Sequence, residues 1–150
     1  MRRKVIIEII SSLLIFLFMY TAISKLLGYY SFRNVLRVSP FIGDYAEVAA
    51  FALPITEGLV ALLVFIPRTR LWGFYGSSAL MSIFTLYLAY MILFTPKLPC
   101  SCGGVLKQMT WNQHLVFNIF FLLLALTGVV LERKQQRKQK EDELPPVVFT

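Results

Sequence analysis

The chain has 150 residues, of which 57% are hydrophobic and 15% are charged, and its formal net charge is +7. An average soluble domain is about 45–50% apolar and about 25% charged, so this composition indicates a protein whose solvent is lipid. The basic residues stand in short clusters between apolar segments. They do not alternate with aromatic residues as in a nucleic-acid-binding surface, which excludes nucleic acid as a partner.

Four apolar stretches approach the roughly 20 residues that cross about 30 Å of hydrocarbon. They occupy residues 5–27, 46–66, 71–94 and 114–131. The first follows a basic N-terminus, but it exceeds the roughly 7 to 15 residues of a signal-peptide core, which predicts a retained helix. The sequence therefore predicts an all-α fold: a four-helix transmembrane bundle at residues 1–132, then a basic and finally disordered cytoplasmic tail at residues 133–150.

The positive charges predict how this bundle is oriented. Four spans place both termini on one side of the membrane, and of the 15 basic residues ten flank that side and five lie near the other. Because cytoplasmic loops are enriched in Lys and Arg, both termini are predicted to be cytoplasmic. The loops at residues 28–45 and 95–109 would then face the outside of a bacterial inner membrane.

The two outer loops differ in character. Residues 28–45 alternate apolar with basic side chains, which predicts a short amphipathic helix on the membrane interface that ends before Pro40. Residues 95–109 contain Pro and Gly turn residues and both cysteines. Thr110 and Gln113 have the spacing of a capping box, so the fourth helix is predicted to start directly after this loop.

Cys100 and Cys102 are the residues most indicative of chemistry. A disulfide between residues two apart closes a very small ring, and departures from relaxed disulfide geometry make a bond more reducible. Lys97, Lys107 and the N-terminal end of the fourth helix supply positive charge that favours a thiolate. The pair is therefore predicted to act as an oxidant, and the alternative is a passive loop staple or two free thiols.

Two further polar residues lie in the fourth predicted span. His114, the only histidine, could shuttle a proton during thiol exchange or form a hydrogen bond at the interface as a neutral imidazole. Asn118 is expected to face another helix.

Zinc requires four ligands, more than the two thiolates and His114 offer, so no zinc site is expected. Copper(I) accepts fewer and softer ligands, and Met109 lies nearby, which leaves Cu(I) handling open.

Glu57 lies mid-way along the second span, where a carboxylate is costly unless it is paired or functional. Lys25 is the obvious partner. At about 1.5 Å per residue, however, Glu57 lies roughly 16 to 18 Å below the outer surface and Lys25 only about 5 Å below it. A lysine stem bridges part of this gap, so Tyr20, Thr21 or Ser24 could bond the carboxyl instead, or it could be protonated. A structural clasp and a proton or quinone site both remain open.

Three segments together resemble the MauE branch of the DoxX-like membrane proteins. They are TAISKL at residues 21–26, LPITE at residues 53–57 and PCSCGG at residues 99–104. The Cys-x-Cys-Gly in the last outer loop is the most specific of them. The resemblance implies a four-helix bundle that is named for methylamine utilisation. It also implies a role, alongside a thioredoxin-like partner, in maturing a disulfide-rich dehydrogenase subunit.

The functional prediction is thiol-disulfide exchange at the outer face, in which Cys100 and Cys102 pass electrons to or from a thioredoxin-like periplasmic protein. The chain would then be a component of a thiol-disulfide oxidoreductase that supports maturation of exported proteins. One pair alone cannot complete a relay to quinone, so either a quinone docks beside the pair, toward Glu57, or another protein completes the route. A non-catalytic assembly or docking factor and Cu(I) handling are the alternatives, and the oligomeric state stays open.

Overall fold

A computed structural model describes residues 2–94 and 110–143. Cys100, Cys102 and Met109 lie outside the described residues, as do the two lysines of the second outer loop. The predictions that rest on the cysteine pair are therefore carried by the sequence, and the structure describes the helices on either side of it.

Every element in the described part of the chain is helical. In chain order the helices are α1 (Arg2–Leu27), α2 (Tyr29–Arg37), α3 (Ala46–Phe65), α4 (Arg70–Phe94) and α5 (Trp111–Glu143), and a short 3-10 turn at Gly43–Tyr45 leads into α3. Four of them, α1, α3 with its 3-10 turn, α4 and α5, are long and apolar enough to cross a membrane. The predicted all-α fold with four spans is confirmed.

Helix α5 runs beyond the apolar stretch that predicted it. It continues past residue 131 to Glu143. The added residues are mostly Lys, Arg, Gln and Glu, which are good helix formers, so the polar segment can extend the helix that the apolar segment begins.

The spanning helices alternate in direction. Packing joins α1 to α3 and α5, and α4 to α3 and α5, which closes a four-sided bundle. Arg70 at the start of α4 donates to Glu8 near the start of α1 at 2.7 Å, whereas Lys25 near the end of α1 donates to Glu57 in α3. We call one end of the bundle the loop end: α1 ends there at Leu27 and α4 at Phe94, and α3 begins there at Ala46 and α5 at Trp111.

The core is built from the inward faces of all four spanning helices. Its buried residues are Ile7, Ile10, Leu14, Phe18, Val60, Ala61, Val64, Phe74, Leu80, Met81, Ala125 and Val129. A Cβ added to Gly73 would lie 2.5 Å from the backbone nitrogen of Val64, so α3 and α4 approach backbone to backbone. Small residues let membrane helices pack this tightly, because no side chain keeps the two backbones apart.

Helix α2 lies against α3 at the loop end. It ends at Arg37, ahead of Pro40, as predicted. Leu36 is buried and packs with Ala46, while Arg37 donates to Glu47 at 3.0 Å. One face therefore packs on α3 and the other carries charge, which confirms an amphipathic helix in this loop, and its contact with the membrane interface stays a prediction.

Candidate functional site

A cavity of about 220 Å³ lies inside the loop-end half of the bundle. All five helices contribute to its wall, which is mostly apolar and partly open to the surface. Its polar lining residues are Tyr20, Thr21, Ser24, Lys25, Glu57, Tyr87, His114 and Asn118. The structure thus brings together four residues that the sequence singled out on three separate spans: Lys25, Glu57, His114 and Asn118.

Lys25 and Glu57 form an ion pair in this cavity. The ammonium group of Lys25 donates to Oε1 of Glu57, whose side chain is only 1% exposed. The sequence placed Lys25 and Glu57 at different depths in the membrane, but their side chains are in contact. Side chains tilt toward the N-terminus of their own helix, and α1 and α3 are antiparallel, so Lys25 reaches inward while Glu57 reaches toward the loop end. Two convergent tilts close a gap that the lysine stem alone would not.

The ammonium group of Lys25 has more favourable contacts in the cavity than the carboxylate of Glu57 has. The ammonium group of Lys25 lies 4.9 Å from the ring centroid of Phe84 and 5.6 Å from that of Phe32, within the range of cation–π attraction. Oε2 of Glu57 is buried, and no donor of the described residues meets full hydrogen-bond geometry with it; the hydroxyl of Thr21 is close enough to interact with the carboxyl group but donates to the carbonyl of Phe18. A buried carboxylate oxygen without a donor is unusual, because buried polar atoms in proteins are nearly always paired.

The capping box at the start of α5 positions His114. The backbone N–H of Thr110 donates to Oε1 of Gln113 at 3.0 Å, and the N–H of Gln113 donates to Oγ1 of Thr110 at 3.3 Å, which confirms the predicted cap. His114 follows within the first turn and is half-buried. Because residues four apart share one face of a helix, His114 and Asn118 both line the cavity.

Asn118 was predicted to face another helix and not lipid. It is 5% exposed and faces the interior of the bundle. Thr21, one of the alternative partners weighed for Glu57, also lines the cavity, and its hydroxyl donates to the backbone carbonyl of Phe18 at 3.2 Å. Tyr20 and Ser24 complete the polar part of the wall from α1.

Tyr87 and Phe84 on α4 are site residues that sequence reasoning missed. The hydroxyl of Tyr87 donates to Oγ of Ser39 at 2.9 Å, which ties α4 to the segment after α2 beside the cavity. An aromatic residue near the end of a span is typical of an interfacial anchor. Nothing local in the sequence distinguishes these two from the neighbouring aromatic residues of the same helix.

Metal-ligating side chains do not cluster in the described part of the chain. Within residues 2–94 and 110–143, no three His, Cys, Asp or Glu side chains come close enough to hold an ion. The copper hypothesis involves Cys100, Cys102 and Met109, which lie outside these ranges.

The family model described as methylamine utilisation protein MauE matches residues 3–131. The chain belongs to the MauE family. No curated protein and no solved structure matches it at a significant level. The MauE match covers all four apolar segments and every residue of the cavity wall. Together with the four candidate spans, it identifies the chain as a multi-pass membrane protein.

The cavity of this MauE-family protein combines groups with complementary hydrogen-bonding chemistry. A lysine ammonium has three donors, of which Glu57 takes one, and the amide of Asn118 can donate and accept. The imidazole of His114 can carry a proton at either nitrogen. The arrangement can therefore hold a small ligand that both accepts and donates hydrogen bonds, and it can pass protons to and from that ligand.

Proposed function

We propose that this protein is a redox-associated component of the bacterial inner membrane. It exchanges thiol and disulfide through Cys100 and Cys102 with a thioredoxin-like protein outside the membrane, and so supports maturation of exported proteins. The closely spaced pair Cys100 and Cys102, in the segment that directly precedes the capped start of α5, carries this proposal. The segment with both cysteines joins Phe94 to Thr110, so its two ends flank the end of the bundle that contains the polar cavity.

The exchange proceeds through a mixed disulfide. A thiolate of the partner attacks one sulfur of the Cys100–Cys102 disulfide and releases the other sulfur as a thiolate. The second thiolate of the partner then displaces the first cysteine. The partner loses two electrons and gains a disulfide, while Cys100 and Cys102 gain two electrons and become a dithiol after taking up two protons. His114, at the start of the helix after the loop, accepts and returns protons during these steps.

The charge distribution supports an outward-facing loop end. Arg68 lies between α3 and α4 and Arg70 begins α4, both at the opposite end of the bundle. The cluster from Arg133 to Lys140 follows the apolar part of α5 on that same side. The positive-inside rule assigns that side to the cytoplasm. The cysteine pair would then meet the oxidising compartment in which disulfides form.

Trapping tests the exchange directly. A Cys102→Ser variant expressed in whole cells is expected to accumulate a mixed disulfide between Cys100 and an exported protein, visible as a reducible adduct on a non-reducing gel. The Cys100→Ser/Cys102→Ser double variant is the matched control and should form none. If no adduct forms with either single serine variant and both restore a deletion strain, the redox function is wrong and an assembly or docking role takes its place.

Labelling of intact cells tests the topology. A membrane-impermeant thiol reagent is expected to label the wild-type protein after mild reduction. A single cysteine introduced at Arg68, in a protein without Cys100 and Cys102, should stay unlabelled. Absence of labelling on Cys100 and Cys102 in both redox states would contradict an outward-facing pair.

A further inference from the structure

We propose that the loop-end cavity binds the ring headgroup of a membrane quinone. The inference rests on the proposed function for the origin of the electrons, but the binding site itself is argued from the described helices alone. Lys25, Glu57, His114 and Asn118 are its polar contacts, and the aromatic ring of Phe84 is part of its apolar wall.

The size of the cavity suits one substituted ring. An apolar cavity of about 150 Å³ accommodates benzene, whereas pockets for drug-sized ligands measure about 300–1,000 Å³. The cavity here has about 220 Å³. It therefore has room for a single ring with its substituents and little more.

The polar groups match both redox forms of a quinone. A quinone has two carbonyl oxygens that accept hydrogen bonds, and Lys25, His114 and Asn118 can donate to them. A quinol has two hydroxyl groups that donate, and the unpaired Oε2 of Glu57 is a buried acceptor on the cavity wall. A ligand with a hydroxyl group, such as a quinol, would supply a donor to this oxygen.

The position of the cavity suits a ligand that arrives through the bilayer. The cavity is partly open, and Ile83 on its wall is 60% exposed on the outer surface of the bundle. Because that surface faces lipid, a hydrophobic molecule can reach the polar groups without crossing water.

A quinone at this site would complete the electron route that one cysteine pair cannot complete. The dithiol of Cys100 and Cys102 loses two electrons and two protons and becomes a disulfide. The quinone gains the same two electrons and two protons and becomes a quinol. Glu57 and His114 line the path by which protons reach the quinone oxygens.

Photolabelling of the purified full-length protein tests the binding. An azido-substituted short-chain ubiquinone in detergent is expected to label α4 near Phe84 or α5 near His114 saturably, and decylubiquinone should compete. Absence of saturable labelling, or labelling confined to lipid-facing residues such as Phe16, overturns the inference.

Two pairs of variants localise the site. Ser24→Phe fills the cavity and should weaken labelling at least about tenfold, whereas Ser12→Phe on the exposed face of the same helix should not change it. Asn118→Leu removes a polar contact, and Asn112→Leu on the exposed first turn of α5 is its control. Circular dichroism and gel filtration verify that each variant is folded, and labelling that survives both cavity variants in folded protein contradicts the site.

A cysteine-free protein separates this inference from the proposed function. The Cys100→Ser/Cys102→Ser variant should bind the azidoquinone as the wild type does, because no cysteine belongs to the site. Binding in the absence of any trapped partner would leave the quinone site standing without thiol exchange. Trapping in the absence of binding would leave thiol exchange standing without this site.

Discussion

Lys25, near the C-terminal end of α1, and Glu57, in the middle of α3, form an ion pair inside the bundle. The pair forms because the two side chains tilt toward each other from antiparallel helices. It joins the first and second spans at the wall of the cavity.

Breaking this pair from one side should be costly. Lys25→Met leaves the carboxylate of Glu57 buried without its cation, and we expect a loss of about 3–5 kcal/mol in the free energy of unfolding. Glu8→Gln breaks the more exposed pair with Arg70 at the other end and should cost at most about 1 kcal/mol. Unfolding in detergent measures both. Equal losses in the two variants would show that the buried pair has no special role in stability.

The close approach of α3 and α4 at Gly73 predicts a second stability effect. Gly73→Ala places a Cβ against the backbone of Val64, and we expect a loss of about 1–3 kcal/mol because backbone cannot move aside as a flexible side chain can. Gly58→Ala is the matched control, since its added Cβ would have no atom within 4 Å among the described residues other than its chain neighbours and the backbone of its own helix. That control should be neutral or stabilising by up to about 1 kcal/mol. Thermal unfolding of the two variants compares them, and a harmless Gly73→Ala would contradict the tight contact.

The cap at the start of α5 predicts a local effect on the helix that carries His114. Thr110→Ala removes the hydroxyl that accepts the N–H of Gln113, and we expect a loss of about 0.5–2 kcal/mol in the free energy of unfolding. Thr127→Ala, within the same helix, removes only a hydroxyl that donates to the carbonyl of Leu123 and should change stability by less than about 0.5 kcal/mol. Hydrogen exchange of the first turn of α5 should rise in the first variant alone.

The proposed role of His114 predicts a kinetic effect. His114→Gln removes the group that moves protons, and general acid–base catalysis typically contributes about 10²–10⁴ in rate. We expect disulfide exchange between the protein and a reduced thioredoxin-like protein to slow about 100-fold, with the fold unchanged. Asn112→Gln, on the exposed side of the same turn, is the control. A rate within about threefold of wild type for His114→Gln would remove the histidine from the mechanism.

The sequence by itself determined the features that depend on local composition. Lipid requires a long apolar segment for each span, so hydropathy alone locates all four spanning helices. The cap at Thr110 could be predicted in the same way, because a capping box lies within four consecutive residues. Asn118 was expected to face the bundle because a polar side chain in a lipid-facing position is costly.

Only the tertiary structure decided which of these residues meet. Counting residues along each span placed Lys25 and Glu57 at different depths, and it could not include the opposite tilts of their side chains. The rotation of α4 that brings Phe84 and Tyr87 to the cavity depends on packing against α3 and α5, which no local pattern records. The cavity is a property of five helices together, and for that reason it emerges from packing and not from any one segment.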